Sequence, residues 1–504
     1  MAAASSSLSQ PLLSHETVDQ AKRTRVQQSF DNTSRSNSKA ARKAHNLSSP
    51  DTLDDERGNA KSQKRYLPPA TSAPPSNGII KRFWRWLTEY RGPPSILLPA
   101  PPKQTFCNFA NLADKQFGSE IMFVSDDFFG SAENILRSDE PSVVEPPHLF
   151  GHSDGWITRR RREIGHDWCI IQLGFPGTIY GIEINLTNME VESVPRLSIE
   201  GVYCSSLSYA SLSLPPLVKS QQLTFEQTDA VDKAIERHLH QSFTDWIEIL
   251  DSEQACFTNL KQRTSRSFFF SVEDPLLKQD FTHLRINLFP DGGIARFRAF
   301  GQAGHFRRKI DSDVSKDLIP LLSPKYGGNL LCFDSTTLLH GHPKEIIIIE
   351  NARKLGWETT RKLDRPPIIN TTMESKVSRS GDWAIFRFQG CAIIDSICIT
   401  AAECVGRIPR SILIEGIDIR SLCLTDILEE QRFFEKNGFV HSKAMGEWKM
   451  LAELSFPINE EMVVYSNLKE RSPHWSSRMA THIRVILIPD GGISSIRITG
   501  VLLT

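Results

Sequence analysis

The segment FPDGGIARFRAFG, Phe289 to Gly301, returns as IPDGGISSIRITG, Ile488 to Gly500. The repetition extends well beyond these residues. THLRINLFPDGGI (282–294) matches THIRVILIPDGGI (481–493) at an offset of 199. DGWITRR (154–160) matches LGWETTR (355–361) at an offset of 201. GHDWCIIQLG (165–174) matches SGDWAIFRFQG (380–390), and RLSIEG (196–201) matches SILIEG (411–416), both at 215. Blocks that recur in one order with small drifts of offset mark a duplicated domain with different loop insertions. A period of about 200 is far longer than a solenoid unit.

The texture of each copy says what the duplicated unit is. THLRINLF places Leu284, Ile286 and Leu288 on one face and Arg285 and Asn287 on the other, the pattern of a half-buried strand. DWCIIQLG and DWAIFRFQG are also strand-like. In PDGG, Pro fixes φ and Gly supplies positive φ, which predicts a β-hairpin between THLRINLF and IARFRAF. Helical periodicity is scarce. One helix is predicted over Thr228–Gln241, with Thr228 as its N-cap, in a stretch that reads as an insertion. Short strands separated by turn residues predict an all-β chain. Each copy is expected to be an antiparallel jelly-roll β-sandwich, the first over 105–305 and the second over 312–504.

Residues 1–101 have a different character. They are rich in Ser, Asn, Lys, Arg and Pro, and too poor in large apolar residues to offset the entropy of ordering. A largely disordered extension is expected there. Its one apolar stretch, IIKRFWRWLTEYRGPP (Ile79–Pro94), reads either as an interfacial helix or docking peptide, or as a linker that packs back on the body. Residues 1–100 hold 15 Lys/Arg against 8 Asp/Glu, and the remainder 44 against 51. The whole chain is balanced at 59 of each, so it has no net field to attract nucleic acid.

No window approaches eighteen consecutive apolar residues, so no membrane span is expected. The first residues lack a secretory signal pattern. Nine cysteines, an odd number with no CxxC, point to buried free thiols in a reducing compartment; a cytoplasmic location is expected, with organelle targeting by the N-terminal extension as the open alternative. HLH (238–240) falls in the predicted helix, and HGH (340–342) lacks an acidic or Cys partner at ligand spacing. No metal or cofactor site is expected from either.

Several blocks together resemble the allantoicase family. FVSDDFFGSAENIL (123–136), DGWITRRRR (154–162), GHDWCIIQLG, PRLSIEG (195–201) and FPDGGIARFRAFG are similar, in order, to its first repeat. GWETTR (356–361), GDWAIFRF (381–388), SILIEG and IPDGGISSIRITG are similar to its second. The resemblance implies two tandem jelly-roll β-sandwiches in a soluble homo-oligomer. It also implies a small-molecule ureide substrate: allantoate is hydrolysed to ureidoglycolate and urea in purine breakdown.

Allantoate carries one carboxylate and two ureido groups on a single carbon. Its hydrolysis needs a cation for the carboxylate, a base for water and an acid for the departing urea nitrogen. By the resemblance, the candidate catalytic carboxylates are Asp126, Asp127, Glu133 and Asp154, with Asp127 or Glu133 as proton carrier. Arg159 or Arg160 would hold the substrate carboxylate. Asn134, Trp156 and His166 would complete the binding set, with Trp156 as a pocket wall, and Glu358 and Arg361 would be the second-repeat members. Each has a structural alternative: aspartates cap turns, an arginine run forms a solvated face, and a Trp beside a strand packs in the core. The enzyme reading requires Asp126, Asp127, Glu133, Asp154 and Arg160 to converge on one open pocket. The alternative is a non-catalytic β-sandwich that binds a small molecule or a protein.

The chain departs from the family pattern at definite places. NLTNMEVESVP (185–195) lacks the Asp, the Thr and the Gly-Asn pair of D-T-x-x-F-x-G-N. TAAECVGRIP (400–409) keeps Gly406 but has Thr400, Glu403 and Arg407 where the family has Asp, His and Asn. Ile157 replaces the Glu of G-W-E-T, and Leu355 replaces an Asp. These positions bear on substrate binding and proton transfer.

Overall fold

The computed structural model describes residues 105–503, apart from 149–150, 190–191, 205–206, 208, 213–222, 258–265, 273–278, 305–317, 349–355, 362–381, 405, 425, 438–447 and 457–462. The N-terminal extension with Ile79–Pro94, and Leu355, lie outside the described residues. The first repeat contains strands β1 (Glu120–Val124), β2 (Asp167–Asn185), β3 (Arg196–Val202), β4 (Ile247–Leu250), β5 (Ser267–Ser271), β6 (Asp280–Phe289) and β7 (Arg296–Ala303). Helix α1 (Phe225–Gln241) lies between β3 and β4. The second repeat follows with β8 (Asn329–Phe333), β9 (Asp382–Thr400), β10 (Ser411–Ile417), α2 (Ile427–Asn437), β11 (Lys449–Ser455), β12 (Val463–Asn467), β13 (Met479–Ile488) and β14 (Ser495–Leu503).

Strand β2 organises the first sandwich. Its first half lies between β1 and β6, with Cys169 opposite Val124 and Asp167 opposite Leu288. Its second half lies between β7 and β5, with Asn185 opposite both Arg296 and Ser267. One strand thus serves both layers, a recognised way of turning the corner of a sandwich. Beyond β6 come β3 and then β4. Ile171, Ile182, Ile199, Ile286 and Phe297, all fully buried, fill the space between the layers. In the second repeat β9 has the same role, with β8 and β13 on its first half and β14 and β12 on its second.

The predicted hairpin at PDGG does not form. Strands β6 and β7 each pair with β2 and not with each other. The turn residues set a sharp bend, as expected, but β2 offers one partner edge in each layer, so the bend carries the chain across the sandwich. The conformational demand on the motif is real at both ends. Gly292 has φ 136 and Gly491 has φ 140, a region that favours glycine. At the other end, a Cβ on Gly301 or Gly500 would run into the backbone carbonyl oxygen of Thr178 or Ile393. The repeated thirteen residues therefore encode a layer crossing followed by a close strand approach.

Helix α1 forms where predicted but starts earlier. Thr224, not Thr228, is the N-cap, in a reciprocal capping box with Gln227. Thr228 sits one turn in and donates its hydroxyl to the Thr224 carbonyl at 2.8 Å. The helix lays Val231, Ile235 and Leu239 over Trp168 and Ile170 on the outer face of the sheet.

The repeats share an apolar seam in which Phe106, Phe109 and Phe300 meet Leu331, Ile385 and Phe434. The Asn108 amide donates to the Leu331 carbonyl at 2.9 Å, and the Asn329 side chain accepts from the Ala110 N–H at 3.2 Å. Among the described residues, no helix is long and apolar enough to cross a membrane. All nine cysteines are free thiols.

Candidate active site at the rim of the first repeat

After the short strand Trp156–Ile157, the segment 158–163 crosses the end of the first sandwich. Its arginines alternate. Arg160 and Arg162 are exposed, whereas the Arg161 side chain is only 3% exposed and Arg159 is half-buried. Arg159 donates from its backbone N–H to Asp126 Oδ2 at 2.6 Å and from Nη2 to Oδ1 at 3.1 Å. Its guanidinium also lies 4.6 Å from the centre of the Phe128 ring. Arg161 donates from Nη2 to Asp167 Oδ1 at 2.9 Å, and its backbone N–H donates to Asp291 Oδ2 at 2.9 Å. The Thr158 hydroxyl donates to the Gly292 carbonyl at 3.1 Å. The PDGG crossing thus holds the arginine loop in place. The second repeat repeats this fixture, Thr359 donating to the Gly491 carbonyl at 3.1 Å.

The inward pairs leave Arg160 and Arg162 facing a cavity of about 650 Å³. Its walls are the run Arg159 to Glu163 together with Phe129, Leu223 and Thr224. Among the described residues, neither Arg160 nor Arg162 has an ion-pair partner. Two exposed guanidinium groups beside one carboxylate can bind an anion and present a proton acceptor to it.

Behind the pocket, Asp167 is fully buried. Burial pushes its carboxyl up to about 6, against the opposing pull of Arg161, Thr158 and Ser125. Its stabilising contribution is therefore complete below its unfolded value, near 3.8, and is lost as pH rises through about 6. Two pKa units correspond to about 3 kcal/mol. The stability of the protein relative to an Asp167→Asn variant should fall by up to that amount between about pH 4 and about pH 7. Denaturant unfolding at several pH values measures this, and a pH-independent difference contradicts it.

The structure brings Arg159 and Arg160 into the pocket wall and sets Asp126 directly behind them. Asp127 is half-buried on the same loop, one residue before Phe128. The remaining candidates are not gathered there, so the expected convergence of Asp126, Asp127, Glu133, Asp154 and Arg160 on one open pocket is not met, and this weighs against the enzyme reading with those residues in those roles. Glu133 accepts from the Lys115 ammonium at 3.0 Å and from the Ile121 N–H at 3.2 Å. Asn134 donates to the Gly155 carbonyl at 3.3 Å. Asp154 is held by Arg296 at 2.8 Å and by the Ser142 hydroxyl at 2.9 Å. Burial alone would raise the Asp154 carboxyl, but Arg296 and Ser142 hold it below its ordinary range.

Trp156 does not wall the pocket. It is fully buried behind it, and its indole N–H donates to the Asp126 carbonyl at 2.8 Å, which fixes the loop that carries Asp126. His166 is buried too, with Nε2 bonded to Asn287 Oδ1 at 3.1 Å. In the second repeat Glu358 is buried and accepts from Arg407 at 3.0 Å, while Arg361 is exposed. The sequence reading did not single out Arg161, Arg162 or Glu163. A period-two reading of RRRRE as extended backbone would have separated its clamped arginines from its free ones.

Fold and rim together define a class: a duplicated antiparallel β-sandwich with an arginine-rich loop at the end of its first copy. The family model described as the allantoicase repeat matches residues 110–304 and again 321–503. The chain belongs to the allantoicase family. It is 27% identical to a probable allantoicase of Acinetobacter baylyi over 81% of this chain and 98% of that protein. A probable allantoicase of Acinetobacter baumannii is 28% identical over 77% of this chain and 93% of its own length. Among solved structures, the allantoicase of Saccharomyces cerevisiae superposes with a TM-score of 0.50 at 22% identity, covering 78% of this chain and 93% of that one.

Proposed function

We propose that the first-repeat pocket binds a ureido carboxylate and that the chain hydrolyses allantoate to ureidoglycolate and urea, a step of purine breakdown. The observation that carries this reading is the pair Arg160 and Arg162, unpaired among the described residues, beside Glu163 in one cavity. Arg160 and Arg162 hold the substrate carboxylate. Arg159 and Arg161, already neutralised by Asp126 and Asp167, shape the loop. Glu163 takes the proton of the attacking water and returns it to the departing urea nitrogen. Asp127 is the rival for that role. The nine free thiols suit a reducing cytoplasm, and the family resemblance implies a homo-oligomer.

A specific observation favours a second, non-catalytic reading. At the equivalent rim of the second repeat, the Glu358 carboxylate is closed off by Arg407, a residue standing where the family has Asn. If the first repeat has drifted likewise, the scaffold binds without turning over. Urea release from allantoate by the full chain separates the two. A charge-assisted hydrogen bond contributes about 1.5–3 kcal/mol, so Arg160→Met and Arg162→Met should each raise KM about 10- to 100-fold. Allantoate binding without urea release supports the binding module. Absence of both, from folded protein, removes the hydrolase reading.

A further inference from the structure

A second cavity, about 1090 Å³, opens between the two repeats. Its walls are partly duplicated. The turn Lys115–Phe117 of the first repeat and the turn Pro324–Tyr326 of the second both border it, each closed by a left-handed glycine, Gly118 at φ 88 and Gly327 at φ 80. Phe117, Phe175 and Phe269 add aromatic surface.

The charges in this cleft are unevenly matched. Arg298 pairs with Glu140 at 3.2 Å and with Glu183 at 3.3 Å. Lys344 has no such partner. Its ammonium donates to the Cys107 carbonyl at 2.9 Å and lies 5.0 Å from the centre of the Phe300 ring. Among the described residues, no carboxylate lies within ion-pair distance of it. Burial holds the Lys344 ammonium below the ordinary lysine range, with Glu345 and Cys107 opposing. A covered cation with one carbonyl and one ring is under-solvated, and an anion entering the cleft would relieve that cost. Glu183 and Glu345 border the same cavity and accept hydrogen bonds only, so they favour a ligand rich in N–H groups.

We propose that the cleft between the repeats is a second binding site, for a small carboxylate carrying several N–H donors. Lys344 takes the carboxylate, and Glu183 and Glu345 accept from the N–H groups. Ureido acids have this chemistry. The site is separate from the arginine pocket and does not depend on where hydrolysis occurs.

The test uses the full chain and N-carbamoylglycine, a carboxylate with one ureido group, titrated by calorimetry. The double variant Arg160→Met/Arg162→Met should keep cleft binding, and Lys344→Met should weaken it by about tenfold or more, a change of about 1.4 kcal/mol. Acetate and urea, each with half of the ligand chemistry, should bind at least about tenfold more weakly than N-carbamoylglycine. Unchanged affinity in Lys344→Met overturns the proposal, as does acetate binding equally well. Loss of binding only in the arginine variant assigns the ligand to the first pocket and also overturns it. If Lys344→Met does not fold, limited acetylation of the wild-type protein read by mass spectrometry replaces it. Lys344 should be acetylated, and N-carbamoylglycine should protect it. Failure of either result overturns the cleft site, whereas the hydrolase reading stands or falls on urea release from allantoate by the unaltered full chain.

Discussion

Glu163→Gln should lower kcat for allantoate about 10²- to 10⁴-fold and leave KM nearly unchanged, the range set by removing a general acid–base group. The expectation follows from position. Glu163 lies in the pocket wall next to Arg162, whereas Glu133 and Asp154 do not line that pocket. Glutamine keeps the size and a hydrogen-bonding carbonyl but cannot take a proton near neutral pH. The arginine variants make the complementary prediction, a rise in KM, because the proposed reading puts Arg160 and Arg162 on the substrate carboxylate and not on the water. Asp127→Asn is the control. If Asp127→Asn removes turnover while Glu163→Gln does not, the base lies on the loop before Phe128. Steady-state urea release at several allantoate concentrations gives both parameters. Should both variants retain full kcat, proton transfer must be sought outside this rim.

What was legible in the sequence follows from range. The duplication was visible because its blocks are strand segments, GHDW opening β2, RLSIEG forming β3 and THLRINLF forming β6. Their order along the chain survives whatever the loops do. The layer crossing at PDGG was misread because turn chemistry is local, whereas the pairing of β6 and β7 is decided by a 19-residue strand more than a hundred positions earlier. The α1 cap was a nearer miss, since Thr224 and Gln227 carry the T-x-x-Q signature in plain view. The site divided along the same line. Arg160 could be read from its motif. That Asp154 would be held by Arg296, 142 positions away, could not. A carboxylate near a family motif thus remained a candidate until its distant partner was seen.

Arg296→Met should destabilise the protein by about 3–5 kcal/mol, the range for breaking a buried ion pair from one side. Arg296 is fully buried at the start of β7. It donates to both Asp154 oxygens, at 3.0 and 2.8 Å, and to the carbonyls of Asp139 at 2.9 Å, Glu140 at 3.3 Å and Ala295 at 2.8 Å. Methionine fills comparable space and satisfies none of these acceptors. Asp154 would retain only Arg137 and Ser142, both toward solvent. The double variant Arg296→Met/Asp154→Asn should therefore be less destabilised than the sum of the two single changes. The second repeat supplies an internal control, because register places Ser495 where Arg296 stands. Hydrogen exchange should accelerate along β7 while protection along β14 is kept. Equal acceleration in both strands would show that the sandwiches unfold as one unit. A neutral Arg296→Met would mean that the network is not the fastening it resembles. Asp154 lies two residues before Trp156, whose indole fixes the Asp126 loop. The same change should therefore loosen the arginine pocket and lower affinity for allantoate, although Arg296 never touches it.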